Sequence, residues 1–323
     1  AAPFVLPVTV NTHPVPTLTG SNLACIGSTL LYSTEAGKAN YVWSVSPGGT
    51  PVGGGTSSSN TISVTWDTPG PQWVSVSFTD PTTGCAASSP TQLGVTVNNL
   101  PEPTFLSGVA SACVGVSGNY YATQTGMSNY QWIVTGGTVN GGGTAFDAWI
   151  TITWNSTGSQ SVSVNYNYPA SSCTAVSPAV MGVTVNPLPT PSVISGNNSV
   201  CQGDQGNVYN TQPGMLNYDW SVTGGSVSEG GDGFDYVKIT WTSTGMQTVG
   251  INYSDPSTGC MAADPDLYYV NVKTLPVPFF LSGDVSACLD VPGHVYTTQP
   301  GMLNYIWSIS GGEINLFGGG LDD

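Results

Sequence analysis

Cys25, Cys113, Cys201 and Cys288 recur at intervals of 88, 88 and 87 residues, and Trp43, Trp132, Trp220 and Trp307 keep step with them. Two further series, Trp66, Trp154 and Trp241, and Cys85, Cys173 and Cys260, hold the same period. A fixed period of this length identifies tandem units rather than one large fold. Each unit opens with a Pro-x-Pro segment, at Pro14 and Pro16, Pro101 and Pro103, Pro189 and Pro191, and Pro276 and Pro278. These segments read as linkers and set the expected boundaries: repeats over residues 12–99, 100–187 and 188–274, and the first half of a fourth over 275–323.

Neither end coincides with a boundary. Residues 6–11 (LPVTVN) match residues 93–98 (LGVTVN), so residues 1–11 read as the closing strand of a preceding repeat. The fourth unit stops about halfway and leaves Cys288 without its counterpart, an expectation of truncation that accounts for an odd cysteine number. The reading is of a longer protein continuing on both sides.

Within the second unit, short strands are expected at 104–106, 119–123 (NYYAT) and 129–135 (NYQWIVT), then at 149–154 (WITITW), 160–166 (QSVSVNY) and 181–185 (MGVTV). Period-two alternation buries one face of each strand. Parity places Tyr130, Trp132, Val134, Ile150, Ile152 and Trp154 inside, with Trp149, Thr151 and Thr153 outside. Six or seven strands in so short a unit make an antiparallel β-sandwich the expected fold, in an all-β chain.

In the second unit the cysteines precede the strand at 119–123 and follow the strand at 160–166. If those strands run antiparallel, both sulfurs reach one end of the sandwich, and one disulfide per repeat follows: Cys25 with Cys85, Cys113 with Cys173, and Cys201 with Cys260. Closing a loop of that size is worth on the order of 4 kcal/mol in the chain-entropy model. Zinc is a poor alternative, because no closely spaced cysteine pair exists and the chain has two histidines, His13 and His294. Disulfides imply an oxidising, extracellular setting.

Charged residues form 7% of the chain, with Lys38, Lys238 and Lys273 as the only cations besides histidine, against 18 acids and a net charge of −15. Phosphate binding needs a basic surface, so nucleic acid is an unsuitable partner. No apolar run approaches the length of a membrane span.

The succession of Cys, Asn-Tyr-x-Trp (217–220), Ile-x-Trp (239–241), Gly-x-Gln-x-Val-x-Ile (245–251) and Gly-Cys (259–260) resembles the PKD-like repeats of Bacteroidota surface proteins. That resemblance implies tandem immunoglobulin-like (PKD-like) β-sandwiches in a secreted cell-surface adhesin of the kind exported by the type IX route. Antibody-type domains place both cysteines inside strands, so no immune-type recognition site is carried over.

Catalysis is not expected. With two histidines and no arginine, carboxylates are the main remaining acid–base groups, and the pairs Asp232 with Asp235 and Asp264 with Asp266 fall in loops rather than a sugar-holding cleft. No cofactor is required; calcium is the metal that the loop carboxylates would suit. Asp147, Asp235 and Asp322 are equivalent, each 15 residues after its Trp, and Asp80 and Asp255 match one another in Asp-Pro turns. The competing reading is that Asp starts turns for local hydrogen-bonding reasons. Trp73, Trp149 and Tyr236 fall on outward parity and are candidates for surface binding, with packing as the plainer alternative. The three lysines are not equivalent, so a recurring lysine cross-link is not expected.

The sequence thus leads to a structural or adhesive segment of an extracellular, cell-surface protein, whose repeats partner one another along a semi-rigid stalk and could meet a surface polysaccharide, host or substratum. A carbohydrate-binding or spacer region of a secreted polysaccharide-degrading enzyme is one alternative. A subunit of an extracellular filament is another.

Overall fold

A computed structural model describes residues 3–315 and 319–320. The chain divides into two compact units, residues 1–188 with 257–260, and residues 189–256 with 261–323. In the first unit the first repeat supplies strands β1 (Leu23–Cys25), β2 (Thr29–Ser33), β3 (Ala39–Val45), β4 (Gly49–Gly54), β5 (Thr61–Trp66), β6 (Gly70–Thr79) and β7 (Thr91–Asn98). They form two sheets, β2-β5-β4 and β1-β7-β6-β3. Pairing is antiparallel except between β1 and β7, which run parallel with Cys25 opposite Asn98.

The second repeat repeats the plan with β8 (Phe105–Ser107), β9 (Ser111–Cys113), β10 (Asn119–Thr123), β11 (Ser128–Thr135), β12 (Gly137–Gly142), β13 (Trp149–Trp154), β14 (Gly158–Asn167) and β15 (Ala179–Asn186). Its sheets are β12-β13-β10-β8 and β11-β14-β15-β9. The third has β16 (Ser199–Cys201), β17 (Asn207–Asn210), β18 (Leu216–Val222), β19 (Gly225–Gly230), β20 (Tyr236–Trp241), β21 (Gly245–Ser254) and β22 (Asp266–Lys273), arranged β17-β20-β19 and β16-β22-β21-β18. The fold is therefore all-β, in tandem immunoglobulin-like sandwiches.

Alternation builds each core. Ile150, Ile152 and Trp154 are fully buried, and so are Trp66 and Trp241 at the equivalent place. Each of these tryptophans meets a fully buried tyrosine edge-on, Tyr32, Tyr121 or Tyr209, at centroid distances of 6.1 to 6.2 Å. Trp66 Nε1 donates to Tyr32 Oη at 3.0 Å and Trp154 Nε1 to Tyr121 Oη at 3.2 Å, which meets the need of a buried N–H for a partner. Burial pushes the pKa of Tyr32, Tyr121 and Tyr209 up, because a phenolate there would lose its hydration.

The other tryptophan series has a different duty. Trp43 and Trp132 are half-buried at the core edge, and each donates its indole N–H to a loop carbonyl, Ser59 O or Asp147 O, at 2.9 Å. Trp220 does the same to Phe234 O at 2.9 Å. The preceding Asn of the Asn-Tyr-x-Trp motif is the reason the strand bends: Asn40, Asn129, Asn217 and Asn304 are left-handed, with φ between 49° and 58°. In the three complete repeats the ladder register shifts at this residue. Asparagine tolerates this conformation better than most residues, and the bulge re-aims the following tyrosine. Tyr130 Oη then donates to Gln124 O at 2.8 Å and accepts from Met127 N at 3.1 Å. Tyr41, Tyr218 and Tyr305 make the same pair of bonds.

Two strands were not expected from sequence, the short one that ends at the first cysteine (β1, β9 or β16) and a glycine-rich one. β4, β12 and β19 carry GTPVGG, GTVNGG and GSVSEG, whose glycines read as turn. The first glycine is required by close approach rather than by a turn. A Cβ on Gly49 would lie 2.7 Å from the Trp66 ring, and on Gly137 or Gly225 2.7 Å from Ile152 or Ile239.

The remaining strands, β23 (Phe280–Ser282), β24 (Thr297–Thr298), β25 (Tyr305–Ile306) and β26 (Gly319–Gly320), form two-stranded pairs. Phe280, Leu289 and Ile306 stay exposed there.

Candidate functional site

The cysteines are positioned by strand direction. Within the first repeat β1 ends at Cys25, beside the last residue of β7, Asn98. This is the pole from which the chain leaves the repeat. β6 starts at that pole, with Gly70 opposite Val97, and runs ten residues away from it before the turn that holds Cys85. At about 3.3 Å per residue, the two cysteines of one repeat lie about 30 Å apart, at opposite poles.

The expected pairings Cys25–Cys85, Cys113–Cys173 and Cys201–Cys260 are therefore corrected. Cys25 is bonded to Cys173, and Cys113 to Cys260. The physical reason is the glycine-rich strand. Without β12, the chain from Cys113 to Cys173 makes an even number of passes and returns to its starting pole. With β12 the passes are five, over β10, β11, β12, β13 and β14, and the chain ends at the far pole. The far pole of the second repeat is where the chain enters it, since Phe105 pairs with Thr123 and Ser128 with Asn167. Cys25, at the exit of one repeat, thus meets Cys173, at the entry of the next. Asn98, Asn99, Gly126, Met127 and the segment Tyr168–Ser171 line one surface groove at this junction.

Both cysteine types sit in repeated frames. At the exit, the second residue after the cysteine donates its backbone N–H to the carbonyl of the core tryptophan: Gly27 to Trp66, Gly115 to Trp154 and Gly203 to Trp241, at 2.7 to 2.8 Å. At the entry, a left-handed residue precedes the cysteine, Gly84, Ser172 or Gly259, and the cysteine N–H is held by Thr83, Ser171 or Thr258 Oγ. Cys85, Cys201 and Cys288 are unbonded.

The outward aromatics are dispersed. Trp149 is 39% exposed and stacks on Tyr120, itself 47% exposed, with centroids 6.2 Å apart and planes 21° apart. Tyr236 is half-buried, lies edge-on to Phe234 and donates its hydroxyl to Glu229 Oε1 at 3.1 Å. Trp73 is half-buried opposite Gly94.

The candidate calcium carboxylates are not brought together. Asp147 Oδ2 accepts from the backbone N–H of Thr144 at 3.1 Å and from its hydroxyl at 2.5 Å. Asp80 Oδ2 pairs with Lys38 Nζ at 2.8 Å and Oδ1 accepts from Thr82 N at 2.9 Å. The Lys38 ammonium holds the Asp80 carboxyl below its usual value, and the pair raises Lys38 in turn. Asp235 offers its carbonyl to Thr211 N. Asp255 follows β21, and Asp322 lies outside the described residues. Among the described residues, no three His, Cys, Asp or Glu side chains form a group able to hold a metal. No helix among them is long and apolar enough to cross a membrane.

Among solved structures, the chain aligns with the I9–I11 tandem of titin at 7% identity, covering 80% of this chain and 100% of that one with a TM-score of 0.33. It aligns with invasin, a bacterial integrin-binding protein, at 14% identity over 84% of this chain and 61% of that one, TM-score 0.32. Fibronectin(III)-like modules of Clostridium thermocellum CbhA align at 14% identity over 54% and 95%, TM-score 0.30. No curated protein matches the chain. Residues 187–263, which contain the third sandwich as far as its entry-type cysteine, match the PKD-like domain family.

Proposed function

We propose that this chain is a non-catalytic, structural or adhesive segment of a secreted cell-surface protein, forming a stalk whose repeats are the domains expected at residues 12–99, 100–187 and 188–274. The observation that carries the reading is the bond from Cys25 to Cys173, which spends covalent chemistry on the junction between two sandwiches rather than on the interior of either. A sandwich with a packed Trp–Tyr core gains little positional order from such a bond; a stalk that must hold successive domains in register gains much. Disulfides also suit an oxidising exterior. Export by the type IX route is the form of secretion that the resemblance implies. Small-angle scattering of oxidised and reduced protein tests the reading. The oxidised particle should be a rod, and reduction should shorten its mean end-to-end distance while circular dichroism stays unchanged. A compact particle in both states would overturn it.

A second reading, adhesion to polysaccharide, rests on the stacked and exposed Tyr120–Trp149 pair, a flat platform of the kind that sugars pack against. Quenching of Trp149 fluorescence by oligosaccharides, absent in Trp149→Ala, tests it. Calcium, as a ligand of Asp80, Asp147, Asp235 or Asp255, stays subordinate to the turn roles that Asp80 and Asp147 already fill.

A further inference from the structure

Both observed bonds follow one rule: the exit cysteine of a repeat takes the entry cysteine of the repeat that follows. The rule also accounts for two of the three cysteines left over. Cys85 is the entry cysteine of the first repeat, and Cys201 is the exit cysteine of the third. Their local frames match those of the bonded ones. Cys201 ends β16 in parallel register with Lys273, as Cys25 and Cys113 end β1 and β9 opposite Asn98 and Asn186. Cys85 follows a left-handed glycine, with its carbonyl accepting from Asp80 N at 2.9 Å, as the Cys173 carbonyl accepts from Tyr168 N at 3.0 Å. The bonded and unbonded entry cysteines differ in burial: Cys173 and Cys260 are 1% and 0% exposed, whereas Cys85 is half-buried.

We propose that Cys85 and Cys201 are covalent docking sites for further repeats of this kind. Cys201 receives the entry cysteine of a sandwich that follows, and Cys85 is received by the exit cysteine of one that precedes. Each thiol is thus one half of a staple whose other half is a cysteine in the complementary frame. The partner is a repeat of the same type, supplied either by the same polypeptide or by a second one.

Closure needs an oxidant, and a low-mass disulfide serves. The Cys201 thiolate attacks one sulfur of that disulfide and expels the other as a thiolate, leaving a mixed disulfide. The entry-type thiolate then attacks the Cys201 sulfur and expels the second low-mass thiolate. Two protein thiols are oxidised to one disulfide, the reagent disulfide is reduced to two thiols, and the two protein protons end on those thiols. Neither the adhesive reading nor the stalk reading is needed for this step, so its failure would leave both standing.

The test is alkylation and non-reducing peptide mapping of the protein as it occurs on its source cells. Cys85 and Cys201 should be recovered wholly in disulfides, Cys201 with a cysteine from an entry-type turn and Cys85 with one that ends an exit-type strand. Migration at single-chain size before reduction assigns the partner to the same polypeptide, and a ladder lost on reduction assigns it to a second one. Either result supports the sites. Cys201→Ser should leave one entry-type cysteine newly alkylatable while Cys25–Cys173 and Cys113–Cys260 persist. Recovery of Cys85 and Cys201 as free thiols, capped by low-mass thiols, or bonded to one another within one chain overturns the proposal.

Discussion

Trp154 donates its indole N–H to the hydroxyl of Tyr121 across the interior of the second repeat, at 3.2 Å, with neither residue touching water. Removing the acceptor strands a buried donor, which costs more than the bond itself contributes. Tyr121→Phe should therefore lower the stability of this repeat by about 1 to 3 kcal/mol, as read by denaturant unfolding. A loss below a few tenths of a kcal/mol would mean that the indole finds another partner.

Asn129 should tolerate glycine but not alanine. Its φ of 53° costs an L-residue with a Cβ roughly 1 kcal/mol, from which glycine is exempt. Asn129→Ala is expected to destabilise by about that amount and Asn129→Gly to be nearly neutral. Equal losses in the two variants would show that the side-chain amide, not the backbone angle, matters.

Because Cys85 is unbonded and Cys173 is bonded, the two equivalent cysteines should respond differently to the same change. In residues 1–323 taken by themselves, where Cys85 has no partner cysteine, Cys85→Ser should shift stability by no more than about 0.5 kcal/mol. Cys25→Ser with Cys173→Ser should cost on the order of 2 to 5 kcal/mol. Calorimetry should also show the transitions of the first two repeats separating in that double variant. Similar losses from Cys85→Ser and Cys173→Ser would restore the pairing within repeats.

Burial raises the pKa of Tyr32, Tyr121 and Tyr209 in the folded state above the ordinary phenol value. A raised folded pKa contributes stability that is complete below the unfolded value of about 10 and is lost as pH rises through the folded value. Absorbance of phenolate should thus show a late fraction that ionises together with unfolding. In Tyr121→Phe the late fraction should shrink by one tyrosine. A single early titration of all tyrosines would contradict the burial.

Much of this architecture is legible in the chain. Alternation placed Ile150, Ile152 and Trp154 inward, and the cysteine and tryptophan period located the repeating sandwiches. The junction was not legible, for one physical reason. Residues 137–142 (GTVNGG) form a strand because glycine lets the backbone approach Ile152, but the composition signals a turn. One missed pass reverses the pole at which Cys173 emerges. The signal was present in the repetition itself, since the second and third repeats carry six-residue segments of the same outline at the position of GTPVGG. Nor did sequence explain why Asn precedes Tyr in every motif; that needed the positive φ and the shifted ladder.

The two bonds enclose 148 and 147 residues, and the loops interleave, since Cys113 lies inside the first and Cys173 inside the second. Under tension applied to the two ends, force would follow the shortest covalent route, which crosses both sulfur bridges: from Cys25 to Cys173, back along the chain to Cys113, and on to Cys260. The segments from Cys25 to Cys113 and from Cys173 to Cys260 would bear none of it. Cutting either bridge would replace the segment between Cys113 and Cys173 in the loaded route by one of these longer segments. At about 3.4 Å per residue the tether would then lengthen by roughly 90 Å. The whole span would be released only when both bridges had failed.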